Sequence, residues 1–262
     1  MNECAMKRSR RRIIGLLLLS SLSVLTLAVA LLVQWRGLDW RLPLRRLFPN
    51  SVTRVRPLNA VAAKIVAGAR QQEGTRYNAS YVPIAYPNGD VPLQRGACTD
   101  VVVRALRNAG YDLQRLIHED MKCHFKAYPK KWGLKQANPN IDHRRVPNQM
   151  RFFERHGARL TTEVTARTRQ EWQPGDFVYW DVGHGQLHTG VLSDGINAVG
   201  VPLVVHNGSI CAEADCLTRW KIIGHFRYPA GEAELGTRNV QRRNRNSELR
   251  IPPSAFRLLK RL

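Results

Sequence analysis

The sequence predicts an α+β domain in which N-terminal helices pack on an antiparallel sheet, preceded by one transmembrane helix. Three observations carry this. Residues 13–33 contain no charged side chain. Helical apolar spacing recurs between residues 57 and 156. The last third changes to short β-rich runs punctuated by turn residues. Helices first and hairpin-spaced strands afterwards build a segregated antiparallel architecture rather than an alternating parallel one.

The chain of 262 residues is long enough for one or two domains with a core of enzyme size. Its formal net charge of +21 is unevenly placed. Residues 1–12 carry five basic groups and one acid, residues 34–57 six and one, and residues 230–262 eight and three. Between the first two clusters lies Ile13 to Val33, long enough as a helix to cross a ~30 Å hydrocarbon layer. Lys7, Arg8, Arg10, Arg11 and Arg12 precede it, the pattern of a signal anchor with residues 1–12 in the cytoplasm. Ala28-Val29-Ala30 resembles a cleavage site, but the apolar run continues past it, which favours an uncleaved anchor. Trp35 and Trp40 suit the outer interface. The expected organisation is therefore a stub and anchor over 1–33, a linker over 34–56, a folded domain over 57–229 and a basic tail over 230–262. Charge concentrated around an anchor and in a tail points to anionic lipid or lipopolysaccharide rather than to nucleic acid.

Pro57 suits the first turn of a helix whose apolar stripe is Leu58, Val61, Ala62, Ile65, Val66 and Ala69. Residues 74–96 read as loop. A short amphipathic helix follows Cys98, with Val101, Val102, Ala105, Leu106 and Ala109 at helical spacing and Gly110 as its stop. Another helix is expected over Leu113 to Met121, then a long irregular insert from Lys122 to Arg145, then a helix from Pro147 to His156. Strands are expected at Phe177–Trp180, Leu187–Ser193, Pro202–His206 and Ile222–Tyr228.

Cys98 is the main candidate for chemistry. A thiol at a helix start meets unpaired N–H groups and the positive end of the helix dipole, both of which favour the nucleophilic thiolate. The bland alternative is a small buried residue at a helix start. His188 opens one predicted strand and His206 closes the next, so antiparallel pairing can bring the two imidazoles together on one face. With Cys98 packed against them, His188 becomes the base and His206 its orienting partner, with Asn207 as a substitute. The Cys98 backbone N–H would supply part of an oxyanion hole. Asp100 in the same turn opposes thiolate formation unless it is paired. Asp142-His143 is a rival polar pair, suited to fixing the long insert through hydrogen bonds. No metal or other cofactor is expected: on an extended strand His184 and His188 would stand about 13 Å apart. Cys211 and Cys216 are close enough in sequence for a local disulfide in an oxidising compartment, which spacing alone does not decide.

The order of a Cys at a helix start, a Pro-Gly-Asp strand, a His-Thr-Gly-Val strand and a Val-Val-His strand resembles the NlpC-type cell-wall peptidases, papain-like cysteine enzymes of α+β fold. Gln72-Glu73-Gly74-Thr75-Arg76-Tyr77 is similar to their helix-to-loop entry, where a tyrosine supports the site. A closer resemblance, over roughly residues 58–229, is to the YijF-like bacterial family of unknown function DUF1287. It rests on Tyr86-Pro87-Asn88-Gly89-Asp90-Val91-Pro92, Cys98-Thr99-Asp100-Val101, Leu113-Gln114, His118-Glu119-Asp120-Met121, Ile141-Asp142-His143-Arg144-Arg145-Val146-Pro147-Asn148, Gly175-Asp176 and His206-Asn207. These resemblances imply Tyr77, Tyr86, Asp100, Asp142, His143 and Asn207 as supporting residues around Cys98, His188 and His206. They imply a cysteine hydrolase of peptide or amide bonds, with peptidoglycan or another envelope polymer as substrate. The expected location is the bacterial inner membrane with the catalytic domain in the periplasm. Thr99-Asp100 in place of the usual Ser-Gly, and the longer insert, set the chain apart from typical NlpC enzymes. A non-catalytic envelope-binding module on the same fold and an acyltransferase of related fold are the alternatives.

Overall fold

The computed structural model describes residues 52–230. The expected anchor at 13–33 and the basic tail lie outside them. Among the described residues no helix is long and apolar enough to cross a membrane. Four α-helices and a seven-stranded antiparallel sheet make up the domain, which is α+β as expected.

Helix α1 covers Ala60–Arg70. It starts three residues later than Pro57 suggests, because the Asn59 side chain accepts the Ala62 N–H at 2.8 Å and caps the first turn. Helix α2 runs Cys98–Asn108 and ends as the sequence indicates. Gly110 takes φ +93°, which lets its N–H reach the Arg107 carbonyl and the Tyr111 N–H reach that of Leu106. Helix α3 spans Leu113–His124, capped by Asp112, and so extends three residues into the stretch read as irregular. Helix α4 spans Val146–His156.

In chain order the strands are β1 (Thr53–Arg54), β2 (Arg76–Tyr77), β3 (Arg95–Gly96), β4 (Ala158–Arg159), β5 (Phe177–Gly183), β6 (Gln186–Ile196), β7 (Pro202–Asn207), β8 (Cys211–Ala214) and β9 (Lys221–Arg227). The main sheet has the order β4-β9-β5-β6-β7-β8, and β1 adds to the far end of β6. Thus Thr53 and Arg54, read as linker, pair with Ile196 and Gly195. The short β2 and β3 form a separate parallel pair. All five two- to four-residue strands escaped the sequence reading, since so few residues show no period.

Alternation along the strands divides the core in two. On one face, Ile65 and Ala69 of α1, Val101, Val102, Ala105 and Leu106 of α2 and Leu113, Ile117 and Met121 of α3 meet Phe177, Tyr179, Val191 and Val205. Phe153 of α4 stacks on Phe177 with centroids 4.9 Å apart. On the other face a smaller core forms from Trp172, Val178, Trp180, Leu192, Val204 and Leu217. Cys211 belongs to the first core and Cys216 to the second, and both are thiols. The local disulfide allowed by their spacing is therefore absent: they sit on opposite faces of the sheet. Burial holds both thiols up at about 12.

Candidate active site

Helix α2 begins at the open end of β6, and the surrounding segments fix its first turn. The Asp100 carboxylate accepts the Ala97 N–H at 2.6 Å, closing the helix start from within. The same carboxylate meets Arg144 in a two-point pair, Nε to Oδ1 at 2.8 Å and Nη2 to Oδ2 at 2.9 Å. Asp100 is thus paired, and its charge serves the architecture of the turn. Arg144 also donates to the Ser80 carbonyl, so the 78–80 loop hangs on the same guanidinium. Gln149 of α4 donates to the carbonyls of Thr99 and His143 while accepting from the Tyr179 hydroxyl on the sheet. The Thr99 hydroxyl donates to the Arg144 carbonyl. These contacts tie α2, α4 and β5 into one buried frame.

Within that frame the backbone N–H groups of Thr189, Thr99 and Cys98 itself favour the Cys98 thiolate. Two are unpaired groups of a helix start, as expected, and the third comes from β6 next to His188. The residue is only 5% exposed. Burial pushes the thiol up to about 11, against the three N–H groups that pull it down, and Asp100 adds to the rise. The resting group is a neutral thiol. The half-exposed Tyr77 lies near it, and its phenol is raised first by burial and then by the Cys98 and Asp100 charges.

His188 and His206 come together as predicted. Register places Gly190 opposite His206, so His188 lies diagonal to it, and His188 Nε2 meets His206 Nδ1 at 2.8 Å. Both rings stand on the face of Trp180. Trp180 stacks on His188 at 5.7 Å, and Trp220 closes edge-on at 5.7 Å from His188 and 6.1 Å from His206. Trp180 is the cross-strand partner of His188, a pairing the sequence reading did not make; Trp220 enters from a loop and gave no sequence signal. Desolvation lowers His188 to about 4, helped by His206, while His206 is lowered by burial and by Arg219. Both imidazoles are neutral at pH 7.

Helix α2 lies on the other face of the sheet, with Tyr179 and Val191. The sulfur therefore lies on that face, while the His188 and His206 rings project from the opposite one, with Trp180. His188 Nε2 is taken by His206, which leaves Nδ1 as the nitrogen available for proton exchange.

The other expected residues divide. Asn207 is fully buried beside the helix start and donates to the carbonyls of Gly96 and Thr75, so it braces the loop before Cys98 and does not orient His188. Asp142 accepts from Arg145 and its carbonyl from Asn148, which fixes the insert as read. His143 is buried with Nδ1 unpartnered, and desolvation together with Arg144 lowers it to about 3. Tyr86 stands apart, edge-on to His118 at 5.0 Å on α3. Among the described residues no group of three or more His, Cys, Asp or Glu is arranged to hold a metal.

Gly190 is required for the histidine pair. A Cβ there would lie 2.6 Å from Val204 Cγ1, 3.0 Å from His206 Cβ and 3.0 Å from the Val205 carbonyl oxygen. Because backbone cannot yield as a flexible side chain can, Gly190→Ala is expected to cost about 1–3 kcal/mol. It should also displace His206, which the histidine ring resonances in NMR spectra would show. An unshifted pair would contradict this.

The family model for the domain of unknown function DUF1287 matches residues 65–228, a span that includes α2, strands β2 to β9 and both histidines. The uncharacterized protein YijF of Escherichia coli (strain K12) is 49% identical over 167 residues, which cover 63% of this chain and 80% of that protein. The chain belongs to the DUF1287 family.

Proposed function

We propose that the domain is a papain-like cysteine hydrolase of peptide or amide bonds, acting on peptidoglycan or another polymer of the bacterial envelope. The expected anchor at residues 13–33 would hold it on the periplasmic side of the inner membrane. The observation that supports this reading is the His188–His206 hydrogen bond on strands that pack against the helix starting at Cys98. In the proposed reaction, His188 takes the thiol proton as sulfur attacks the carbonyl carbon, which requires its ring to turn from the Trp180 face toward the face that holds the sulfur. The Cys98 backbone N–H would supply part of the oxyanion hole for the charge that develops on the carbonyl oxygen. The imidazolium, steadied by His206, returns the proton to the leaving amine as the C–N bond breaks. Water, deprotonated by the same imidazole, then hydrolyses the thioester. With thiol and imidazole both neutral at rest, proton transfer accompanies attack and no preformed ion pair takes part.

A second reading, a non-catalytic envelope-binding module, is favoured by the burial of the sulfur and its value of about 11. Two measurements separate them. Cys98→Ala is expected to abolish cleavage of purified muropeptides and intact sacculi, and His188→Ala to reduce it by at least about 10²-fold, the scale of general-base assistance. Unchanged cleavage by the Cys98 variant would end the hydrolase assignment. Alkylation of Cys98 at neutral pH is expected to slow when His188 is replaced. A rate that ignores His188 and matches an ordinary thiol favours the binding module.

A further inference from the structure

We infer that Arg76 and Arg95 form a subsite for a carboxylate of an acidic peptide beside Cys98. The inference rests on the reading of Cys98 as the reactive centre. Arg76 and Arg95 are directly opposite each other in the parallel β2–β3 pair, so their side chains leave on the same face. Like charges in that position repel. Both residues are exposed, and neither guanidinium has a hydrogen-bond or ion-pair partner among the described residues.

The neighbouring cations show the contrast. Arg104 and Arg107 share the Asp90 carboxylate, and Arg144 takes that of Asp100. Asp90 and Asp100 are taken by other arginines, and two forks remain that suit a planar oxyanion. One of them borders a hollow: Arg95 lines a cavity of about 170 Å³ with Asn78, Ser80, Val82, Val91 and Arg144. Valine walls beside unpaired guanidinium groups select a carboxylate on a short aliphatic stem over a bare inorganic ion.

The position relative to the thiol sets the role. Arg95 precedes Cys98 by three residues, at most about 10 Å of extended chain. Tyr77 and Gly96, the next pair along β2 and β3, turn toward the helix start, where Tyr77 nears the sulfur. The arginines therefore leave from the opposite face of the pair, and a ligand held by them would sit against the outer side of the loop that leads into Cys98.

The test is calorimetric titration of the full chain with N-acetylglutamate amide, its neutral isostere N-acetylglutamine amide, and inorganic phosphate. The acidic probe should bind and the neutral one should bind at least roughly tenfold more weakly, the scale of one charge-assisted contact. Arg76→Gln and Arg95→Gln should each weaken the acidic probe by a similar factor, and Arg95→Lys should restore part of it. Both arginines are exposed, so the variants should retain the fold. Cys98→Ala should bind like the parent, which separates this subsite from the catalytic reading: the pair can bind even if the thiol proves inert. Absence of binding, equal binding of the two isosteres, indifference to both Gln variants, or tighter arginine-dependent binding of phosphate than of the acidic probe would each overturn the proposal.

Discussion

Arg144→Leu is expected to lower the unfolding free energy by about 3–5 kcal/mol, the cost of stranding a buried carboxylate. Both members of the pair are almost fully buried, at 3% and 4% side-chain exposure. With the guanidinium gone, Asp100 would keep only the Ala97 N–H. The Ser80 carbonyl would also lose its donor, freeing the loop that walls the cavity beside Arg95. Against a typical total stability of about 5–15 kcal/mol, the loss is large. Urea unfolding of the full chain should show a lower midpoint with an unchanged slope. Adding Asp100→Asn to the Arg144 variant should recover part of the loss, because the unpaired charge disappears while the amide oxygen still accepts the Ala97 N–H. A loss below about 1 kcal/mol, the ordinary value of an exposed pair, would mean that the ion pair is not desolvated as the structure shows it.

Acid lability is the second large effect. Burial lowers His143 to about 3 and His188 to about 4, against an unfolded value of 6.5. Below pH 6.5 the unfolded chain takes up protons that the folded chain refuses, so stability falls as pH falls. Above 6.5 both contributions are fully present. Between 6.5 and about 4 each histidine removes up to about 1.4 kcal/mol per pH unit. The drop from both should be on the order of several kcal/mol by pH 4. Asp142, raised by burial, works in the opposite direction at lower pH. Unfolding midpoints at pH 7, 5.5 and 4 measure the slope. His143→Leu, which removes a buried ionisable ring with an unpartnered nitrogen, should flatten it by about one histidine's share. An acid slope identical to the parent's would show that His143 already carries its proton in the folded state.

The candidate site was partly legible for a definite reason. Strand alternation and turn spacing placed His188 and His206 on neighbouring antiparallel strands, and the register of Gly190 against His206 brings the rings to 2.8 Å. The helix start at Cys98 followed from the apolar stripe of α2 and the stop at Gly110. Arg144 could not be assigned to Asp100 in advance, because the two are 44 residues apart and joined only through an insert without periodicity. Asn207, adjacent to His206, points to the other face and braces Gly96, a consequence of strand alternation that its sequence position alone did not reveal.

Local spacing by itself determined the α+β class, the four longer strands, the four helices and the adjacency of the two imidazoles, because these depend on periods of 3.6 and 2 that side chains carry within a few residues. Tertiary structure alone decided the proton affinity of the thiol, the separation of Cys211 from Cys216 and the unmatched arginines before Cys98. Each depends on which distant segments close over a group and exclude water. Desolvation and pairing across the fold are sums over neighbours that no short window of sequence contains.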